Sequence, residues 1–323
     1  MPRCRAGLLH FVTVEVTPHT QEPRMSAAPL AGVVIVNWKG LDDTLSCVDS
    51  CLQLDYPDYF LAIVDNGSGD GSLEALRTRF AEEPRVVVIG TERNLGFAGG
   101  NNVGIAAALE RGAEYVWLLN NDTRVDTQAL SALVSAAQAN PSVGIWGSKI
   151  YFFEPPDMLW YAGGEVDEVD GHARHIGWQE TDRGQYDGVH RTQYVTGCSM
   201  LASAGFLGEV GRMTEDYFLY WEEVDWCFRA AEHGYPSAVQ PASLVWHKVS
   251  ASTSGNPRLQ ARYETRNRLI FHWRHRRRAV PRIMLDRLRW GIHYYRTGDR
   301  DTASGVFSGV RDFLVGRTGP IAD

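Results

Sequence analysis

Several features that mark large classes of proteins are missing from this sequence. No stretch reaches the ~18 consecutive apolar residues that a membrane-spanning helix needs, and the N-terminus lacks the apolar core of a secretory signal peptide. The five cysteines include no CxxC pair, so neither a zinc site nor a disulfide framework is indicated. These absences predict a protein of a reducing compartment whose catalytic body stays in the cytoplasm.

What remains is the composition of an ordinary globular enzyme. Of the 323 residues, 44% are hydrophobic and 22% are charged, which is close to the average for soluble domains. A chain of this length can bury a full core without a partner. Residues 1–28 carry scattered prolines without a periodic pattern, so we predict a flexible leader there, with Met25 as an alternative start.

Positive charge is concentrated near the C-terminus, although the chain as a whole has a net charge of -7. Residues 256–300 contain thirteen arginines and only three carboxylates, with Trp273, Trp290 and Tyr295 among them. A basic helix with interleaved aromatic residues is typical of a contact with anionic lipid. An ordinary terminal helix with a solvated basic face would show the same pattern, so both interpretations stay open for the basic helical region 256–323.

The segment from Gly32 to Ile150 alternates between short apolar runs and helical patterns. Five runs are continuous and rich in β-branched residues, which is typical of parallel strands buried on both faces. They lie at 33–36, 60–64, 86–89, 116–119 and 143–146, and the crossover helices are predicted at 44–54, 72–80, 100–111 and 127–139. The pattern predicts an α/β fold, a doubly wound, mostly parallel sheet with helices on both faces, followed by a helical C-terminal extension.

Polar residues follow the first four predicted strands, and ligands of such sheets bind beyond the carboxyl ends of the strands. The loop that begins at Arg93 is rich in glycine and asparagine and leads into a helix, whose N-terminal amides favour a phosphate. Asn120-Asn121-Asp122 delivers a carboxylate that suits Mg²⁺ or Mn²⁺, and His247 offers a neutral imidazole to the same ion. Tight turns, a helix cap and a packed histidine are the plain structural alternatives.

An acidic segment rich in aromatic residues lies before His247. Within residues 215–229, Glu222 and Glu223 stand among tryptophan and tyrosine, where desolvation raises the pKa of a carboxyl group and favours proton abstraction. Asp225 and Arg229 are four residues apart on a helix, which predicts a structural ion pair. Glu222 and Glu223 are therefore the candidate bases.

In their order along the chain, these motifs resemble those of the family 2 glycosyltransferases, especially the bacterial rhamnosyltransferase-like members that build cell-wall and surface polysaccharides. The resemblance covers residues 30–275 and is carried by 34–38, 64–68, 94–102, 119–122, 218–225 and His247. It implies a GT-A fold, with Asp65 near the nucleotide base, Asp122 and His247 on the metal, and Glu223 as catalytic base. Asn120 and Glu223 stand where the family usually has aspartate, so this chain departs from the pattern at two positions.

The residues and the resemblance together give the following assignment. The nucleotide sugar is assigned to Asn37, Asp65, Asn66, Arg93, Asn94, Gly96, Phe97, Asn101, Asn120 and Asn121, the divalent cation to Asp122 and His247, and catalysis to Glu223 or Glu222. We divide the catalytic domain 29–255 into a nucleotide-sugar half, 29–150, and an acceptor half, 151–255. The aperiodic segment 151–190 is longer than a usual connection and is expected to shape the acceptor pocket.

The resemblance implies a single displacement with inversion, in which rhamnose or a similar hexose passes from dTDP or UDP to a glycan or polyprenyl-diphosphate-linked acceptor. Such an enzyme would work in the cytoplasm with a peripheral contact at the inner face of the plasma membrane, and without nucleic acid. A catalytically inactive nucleotide-sugar-binding scaffold is the alternative that the two departures favour. A third hypothesis is another nucleotide-using enzyme, such as a nucleotidyltransferase or a dinucleotide oxidoreductase. The absence of a GxGxxG motif after the first strand argues against the oxidoreductase.

Overall fold

The computed structural model describes residues 28–249 and 256–321, and the predicted leader 1–28 lies outside them except for its last residue. The first half of the fold alternates strands and helices, as the apolar runs predict. In chain order it contains β1 (Ala31–Asn37), α1 (Leu41–Cys51), β2 (Tyr59–Asp65), α2 (Ser72–Arg79), β3 (Val86–Gly90), α3 (Gly96–Glu110), β4 (Tyr115–Asn120), β5 (Thr123–Val125) and α4 (Ala129–Ala139).

The second half is built from shorter pieces and ends in helices. It contains β6 (Ile145–Phe152), β7 (Leu159–Tyr161), β8 (Gly164–Val166), β9 (Ala173–His175), β10 (His190–Thr192), β11 (Ser199–Ser203), α5 (Ala204–Val210), α6 (Glu222–Glu232) and β12 (Ser237–His247). The C-terminal region then forms α7 (Pro257–His275), α8 (Val280–Thr297) and α9 (Arg300–Leu314).

One large sheet runs through the described part of the molecule, with its main strands in the order β10-β12-β6-β11-β4-β1-β2-β3. The pairs among β1, β2, β3 and β4 are parallel, as is the pair of β6 and β12, whereas β11 runs antiparallel to both neighbours. Strands β1 and β2 are buried along nearly their whole length, as expected of strands covered on both faces. The predicted doubly wound, mostly parallel sheet is confirmed.

Helix α3 lies close against the sheet because one of its faces carries only small residues. Gly100, Gly104 and Ala108 recur every four residues and therefore share a face. A Cβ added at Gly104 would lie 2.1 Å from Cγ1 of Val34, and one at Gly100 would lie 2.9 Å from Cγ1 of Val36. No larger side chain fits there, so the N-terminus of α3 is held at the edge where β1 ends.

Several boundaries differ from the prediction. Helix α3 begins at Gly96 and not at residue 100, so part of the predicted glycine loop is already helical. Strand β11 begins at Ser199, and Tyr194 before it forms an isolated bridge. The segment 151–190 contains strands of three residues, which are too short to show an alternating pattern.

The basic C-terminal region is partly interior. Arg266, Asn267 and Arg268 of α7 are buried, so this helix does not present a solvated basic face at these positions. Helix α9 packs along α7 at Gly305 and Gly309, where an added Cβ would lie 2.3 Å and 2.6 Å from carbonyl oxygens of α7. In residues 28–249 and 256–321, no helix is long and apolar enough to cross a lipid bilayer.

Candidate active site

A cavity of about 720 Å³ opens at the edge of the sheet where β1 and β4 end. Nine of the predicted site residues line it, namely Asn66, Asn94, Gly96, Phe97, Asn101, Asn120, Asn121, Asp122 and His247. The other five, Asn37, Asp65, Arg93, Glu222 and Glu223, do not line this cavity. The polar strand ends therefore converge largely on one site, as the topology of the sheet predicts.

The two predicted metal ligands, Asp122 and His247, lie side by side although they are far apart in the sequence. Strand β5 starts directly after Asp122 and pairs antiparallel with the end of β12, so Thr123 stands opposite His247. The backbone N–H of Lys248 donates to the carbonyl of Asp122 over 2.9 Å. Nε2 of His247 is 3.0 Å from Oδ1 of Asp122. Strand pairing thus brings the two side chains together at the cavity.

The geometry of this pair fits a divalent cation. Two neighbouring ligands at ~2.1 Å from an octahedral ion lie about 3 Å apart, which matches the 3.0 Å between Nε2 of His247 and Oδ1 of Asp122. Nδ1 of His247 is buried without a hydrogen-bond partner among the described residues, and the ring packs edge-on against Trp160. The described residues contain no group of three or more His, Cys, Asp or Glu side chains suited to a metal. A cation here would therefore need oxygen atoms from a bound diphosphate and water, as Mg²⁺ commonly does.

Asn37 and Asp65 stand behind the cavity. Both are buried, and Nδ2 of Asn37 donates to Oδ2 of Asp65 over 2.7 Å. Oδ1 of Asn37 accepts from Oγ1 of Thr44 over 2.8 Å and from the backbone N–H of Gly40 over 3.2 Å. Oδ1 of Asp65 accepts from the backbone N–H of Ser68 over 3.1 Å. These bonds hold the loops after β1 and β2, and the contact of either residue with a nucleotide stays a prediction.

The loop between β3 and α3 is held by amide side chains. Nδ2 of Asn66 donates to the carbonyl of Gly96 over 3.0 Å, and Oδ1 of Asn94 accepts from the backbone N–H of Gly96 over 2.8 Å. The backbone N–H of Phe97 donates to the carbonyl of Phe218 over 2.7 Å. The first two amides of α3 are thus already bonded to protein. A contact of this helix N-terminus with a phosphate stays a prediction.

The remaining predicted residues differ in their surroundings. Arg93 is exposed and lies outside the cavity. Asn101 lies on α3, and its Nδ2 donates back to a carbonyl one turn earlier over 2.9 Å. Nδ2 of Asn121 donates to a threonine hydroxyl of α1 over 2.9 Å, which joins the cavity rim to that helix. Asn120 lines the cavity directly, so the residue that departs from the family motif is at the site itself.

Helix α6 begins with the candidate bases, Glu222 and Glu223, directly after a segment that lines the cavity. Burial raises the pKa of Glu223 to about 7, and burial together with the charge of Glu223 raises the pKa of Glu222 well above its usual value. One carboxylate oxygen of each has no hydrogen-bond partner among the described residues. Burial, and to a smaller extent the charge of Glu223, raises the pKa of Tyr161 and of Tyr194. A carboxylate in this state can take a proton near neutral pH.

The segment that leads into α6 has a strained backbone. Phe218, Tyr220 and Trp221 have positive φ values of 65°, 67° and 77°, which non-glycine residues rarely adopt. Nδ2 of the buried Asn267 on α7 lies 2.6 to 3.0 Å from three carbonyl oxygens within residues 217–220. Such strain persists only where the surroundings enforce it. Because Phe218 and Tyr220 line the cavity, this segment connects the cavity with the candidate bases.

Asp225 belongs to a network that links α6 with α7. Its Oδ2 is 3.1 Å from Nε of Arg229, which confirms the predicted ion pair. Nε2 of His275 lies 2.9 Å from Oδ1 of Asp225, and Nδ1 of His275 lies 2.9 Å from Oε1 of Glu232. Burial opposes the charged imidazole, but the two carboxylates outweigh it and raise the pKa of His275.

Helix α7 and the residue before it also line the cavity, which was not predicted from the sequence. Asn256, Leu259, Gln260 and Tyr263 line it, and their spacing of three and four residues places them on one helix face. The ring of Tyr263 stacks on Phe218 with centroids 5.5 Å apart. This spacing was a usable signal, but the composition of the basic segment gave no reason to direct that face towards the site. The cavity thus includes residues on both sides of the predicted boundary at 255.

The strand order, the reversed strand β11 and the cavity at the strand ends define a GT-A-type enzyme. A family model described as glycosyl transferase family 2 matches residues 32–203, which is more than half of the chain. The chain therefore belongs to this family and is a glycosyltransferase. The matched region includes Asp65 and Asp122, whereas Glu223 and His247 lie beyond it.

Relatives and solved structures support this assignment. Over 214 residues the chain is 25% identical to the N-acetylglucosaminyl-diphospho-decaprenol L-rhamnosyltransferase of Mycobacterium tuberculosis, which covers 60% of this chain and 68% of the relative. It is 24% identical over 266 residues to the low-salt glycan biosynthesis hexosyltransferase Agl10 of Haloferax volcanii, covering 80% and 78%. The mannosyltransferase PcManGT from Pyrobaculum calidifontis, solved with GDP-Man and Mn²⁺, superposes with a TM-score of 0.55 at 14% identity over 91% of this chain and 76% of that one. This last similarity concerns the fold alone.

Proposed function

We propose that this chain is an inverting glycosyltransferase that moves rhamnose or a similar hexose from a nucleoside diphosphate to an acceptor hydroxyl. The observation that carries the proposal is the Asp122–His247 pair, which strand pairing brings to 3.0 Å at the cavity. A departing diphosphate needs its developing charge neutralised, and a pair that can share a cation with it serves that need. The cavity volume of about 720 Å³ suits a ligand of nucleotide-sugar size.

Asp122 and His247 would hold Mg²⁺ or Mn²⁺ together with oxygen atoms of the donor. When bound, the cation supplies positive charge that stabilises the departing nucleoside diphosphate. Asn120 is neutral where the family usually has a carboxylate, so the pair offers the cation a single negative charge. Cation binding is therefore expected to depend strongly on the presence of the donor diphosphate, whether dTDP or UDP.

Glu223 takes the acceptor proton in this proposal. A carboxyl group with a pKa of about 7 is substantially ionised at neutral pH and is still basic enough to accept a proton. The new bond joins the acceptor oxygen to the anomeric carbon, while the bond from that carbon to the diphosphate oxygen breaks. Attack opposite the leaving group inverts the anomeric configuration. Glu222, whose pKa is raised further by the charge of Glu223, is the less suitable base.

The experiment that tests the reaction is a screen of purified protein against dTDP- and UDP-linked hexoses with Mn²⁺, followed by the release of nucleoside diphosphate. Asp122→Asn and His247→Ala should abolish the metal-dependent turnover. Glu223→Gln should lower kcat by roughly 10²- to 10⁴-fold and spare donor binding. Glu74→Gln, on the exposed face of α2, is the matched control. Normal turnover in Glu223→Gln would transfer the role of base to Glu222.

The product and the ligand affinity separate the alternative functions. Donor binding without turnover in any acceptor mixture would indicate the inactive nucleotide-sugar-binding scaffold. Release of pyrophosphate in place of a nucleoside diphosphate would indicate a nucleotidyltransferase. Unchanged metal dependence in Asp122→Asn would refute the role of the Asp122–His247 pair, whatever the product.

For the acceptor, we infer a glycan linked to a polyprenyl diphosphate, in cell-wall or surface polysaccharide synthesis. The support is the rhamnosyltransferase relative, whose name specifies an N-acetylglucosaminyl-diphospho-decaprenol acceptor. An acceptor with a polyprenyl chain stays in the membrane, so the enzyme has to reach the membrane surface. We therefore propose that it works in the cytoplasm with a peripheral contact at the inner face of the plasma membrane.

The exposed face of α8 supports such a contact. Leu285 and Ile292 are 49% and 45% exposed, and they alternate with the exposed Arg282, Arg289 and Arg296 at steps of three and four residues. These three arginines form no ion pair with the described residues. Each basic side chain near an anionic bilayer contributes about 1 kcal/mol. Apolar side chains between such arginines suit an interfacial helix.

Sedimentation with phosphatidylglycerol vesicles tests this contact. The double variant Arg289→Gln/Arg296→Gln and the variant Ile292→Ser should each reduce binding, while Arg77→Gln on α2 should not. Arginines of the segment 274–278 are poorer probes, because Arg274 bonds to an aspartate and Arg276 stacks on a phenylalanine. Unaltered sedimentation of the α8 variants would remove this surface from the proposal.

A further inference from the structure

An aromatic cluster lies next to His247, on the segment that contains β7 and β9. Trp160 packs edge-on against His247 with ring centroids 4.5 Å apart, and against His175 at 4.4 Å. Trp178 lies 5.8 Å from His175 and 5.2 Å from Phe152. Trp178 is also 45% exposed. The outer end of the cluster therefore presents an aromatic ring to solvent rather than to the core.

A second cavity of about 390 Å³ adjoins this cluster and is lined by Ala173, Arg174, His175 and Trp178. Nδ1 of His175 is 3.1 Å from the carbonyl oxygen of Trp160. Burial lowers the pKa of His175 to about 4, so the ring is neutral at pH 7. A neutral ring that donates from Nδ1 keeps Nε2 as an acceptor. The residues that line the second cavity thus include an aromatic ring, an imidazole with a free acceptor nitrogen and an arginine.

The cluster contacts the cation side of the candidate active site. Trp160 touches His247, the proposed cation ligand. The ring of His175 lies 4.4 Å from Trp160 and 5.1 Å from Tyr161. A reacting acceptor hydroxyl has to lie between the leaving diphosphate and the base. The rest of the acceptor is therefore expected to extend over this cluster.

We propose that the second cavity binds a sugar ring of the acceptor, stacked on Trp178 with its hydroxyls bonded to His175 and Arg174. The inference rests on the proposed function, because it concerns the acceptor of that reaction. The C–H groups on one face of a pyranose pack favourably on the negative face of an aromatic ring. Hydroxyls around the edge of the sugar need both donors and acceptors, which the arginine and the neutral histidine supply.

The charges at the rim favour a sugar over an isoprenoid chain. The guanidinium of Arg174 is held by the carboxylates of Asp167 and Asp170. An aliphatic chain in the cavity would remove water from these charged groups without replacing its hydrogen bonds, which costs free energy. A sugar replaces those hydrogen bonds with its own hydroxyls.

Binding in the absence of reaction tests this assignment directly. The probes are methyl glycosides of N-acetylglucosamine, glucose, galactose and rhamnose, with geraniol as the isoprenoid probe, each followed by saturation-transfer difference NMR on the full chain. At least one glycoside should bind. Trp178→Leu should weaken that binding about tenfold, because the ring face is lost. Trp178→Phe should keep most of it, and Trp290→Leu, which removes a tryptophan that is 41% exposed on α8, should leave it unchanged.

Turnover gives a second readout that separates this inference from the reaction itself. In Trp178→Leu the KM for the acceptor should rise about tenfold, while the dissociation constant of the nucleotide sugar keeps its wild-type value. Equal glycoside binding in Trp178→Leu and Trp290→Leu, or binding of geraniol in place of glycosides, would overturn the subsite. If the glycosides bind as expected and no donor is turned over, the proposed reaction fails and the sugar subsite stands.

Discussion

The buried side-chain amide of Asn267 allows a sharp test of how the site is held together. Its Nδ2 lies 2.6 to 3.0 Å from three carbonyl oxygens within residues 217–220, and its Oδ1 accepts from Nε of Arg266 over 2.9 Å. Asn267→Asp keeps the shape of the side chain but points a carboxylate oxygen at these carbonyls. The two N–H donors are lost, and each buried carbonyl left without a partner costs ~1–3 kcal/mol. The free energy of unfolding should therefore fall by roughly 4 kcal/mol.

One contact offsets part of this loss. Nε of Arg266 lies 2.9 Å from Oδ1 of Asn267, so a carboxylate at this position would gain a charge-assisted bond. Urea unfolding of variant and wild type should therefore show a stability gap of about 2–4 kcal/mol.

A matched control and an activity measurement complete this test. Asn140→Asp changes an exposed asparagine at the end of α4, where Nδ2 donates to a helix carbonyl over 3.2 Å, and should shift stability by less than about 1 kcal/mol. Relaxation of the strained segment should misplace Glu223, so kcat of Asn267→Asp should fall even where the variant is folded. Wild-type stability of the variant in urea unfolding would refute the reasoning.

Three further predictions concern other parts of the fold. Gly96→Ala should lower the free energy of unfolding in urea by roughly 2–4 kcal/mol. The reason is that φ of Gly96 is 77° and the added Cβ would lie 2.2 Å from the carbonyl oxygen of Phe218. Gly208→Ala is the control, because its added Cβ meets open space and should not destabilise the protein. His275→Gln should lower stability most below ~pH 6.5, where the imidazolium forms, and less as pH rises through the raised pKa of His275, with His293→Gln as the exposed control. Thiol titration should leave four of the five cysteines unreacted until denaturant is added, because these four are free and buried, namely Cys47, Cys51, Cys198 and Cys227.

The sheet was predictable because its signal is local. Each of the five apolar runs in 33–146 coincides at least in part with a strand of the structure, since a buried parallel strand needs a continuous apolar segment whatever lies beside it. The convergence of polar strand ends on one cavity then follows from topology. The pairing of Asp122 with His247 did not follow from pattern, because the responsible strand, β5, has only three residues. Residue type made Asp122 and His247 candidate ligands of one ion, and the resemblance to the family implied the same pair.

The position of the candidate base could not be predicted, because its causes lie in distant segments. Phe218, Tyr220 and Trp221 are residues that a sequence gives no reason to place at positive φ. Their conformation depends on Asn267 in a different helix and on the close approach of Gly96 to Phe218. The aromatic cluster around Trp160 was missed for a related reason, since strands of three residues carry no usable period.

The two departures from the family pattern fall on parts of the site that are held in different ways. Asn120 lies in the half that strand pairing holds, where the backbone cannot shift to compensate, so its effect should be the loss of one negative charge at the cation. Glu223 lies behind a segment that is not part of a strand and is held by contacts with side chains of α7 and with the start of α3. The longer glutamate side chain extends its carboxylate by about one bond length, ~1.5 Å. A segment of this kind can absorb such a change through its dihedral angles, so glutamate in place of aspartate is compatible with catalysis and does not by itself indicate an inactive scaffold.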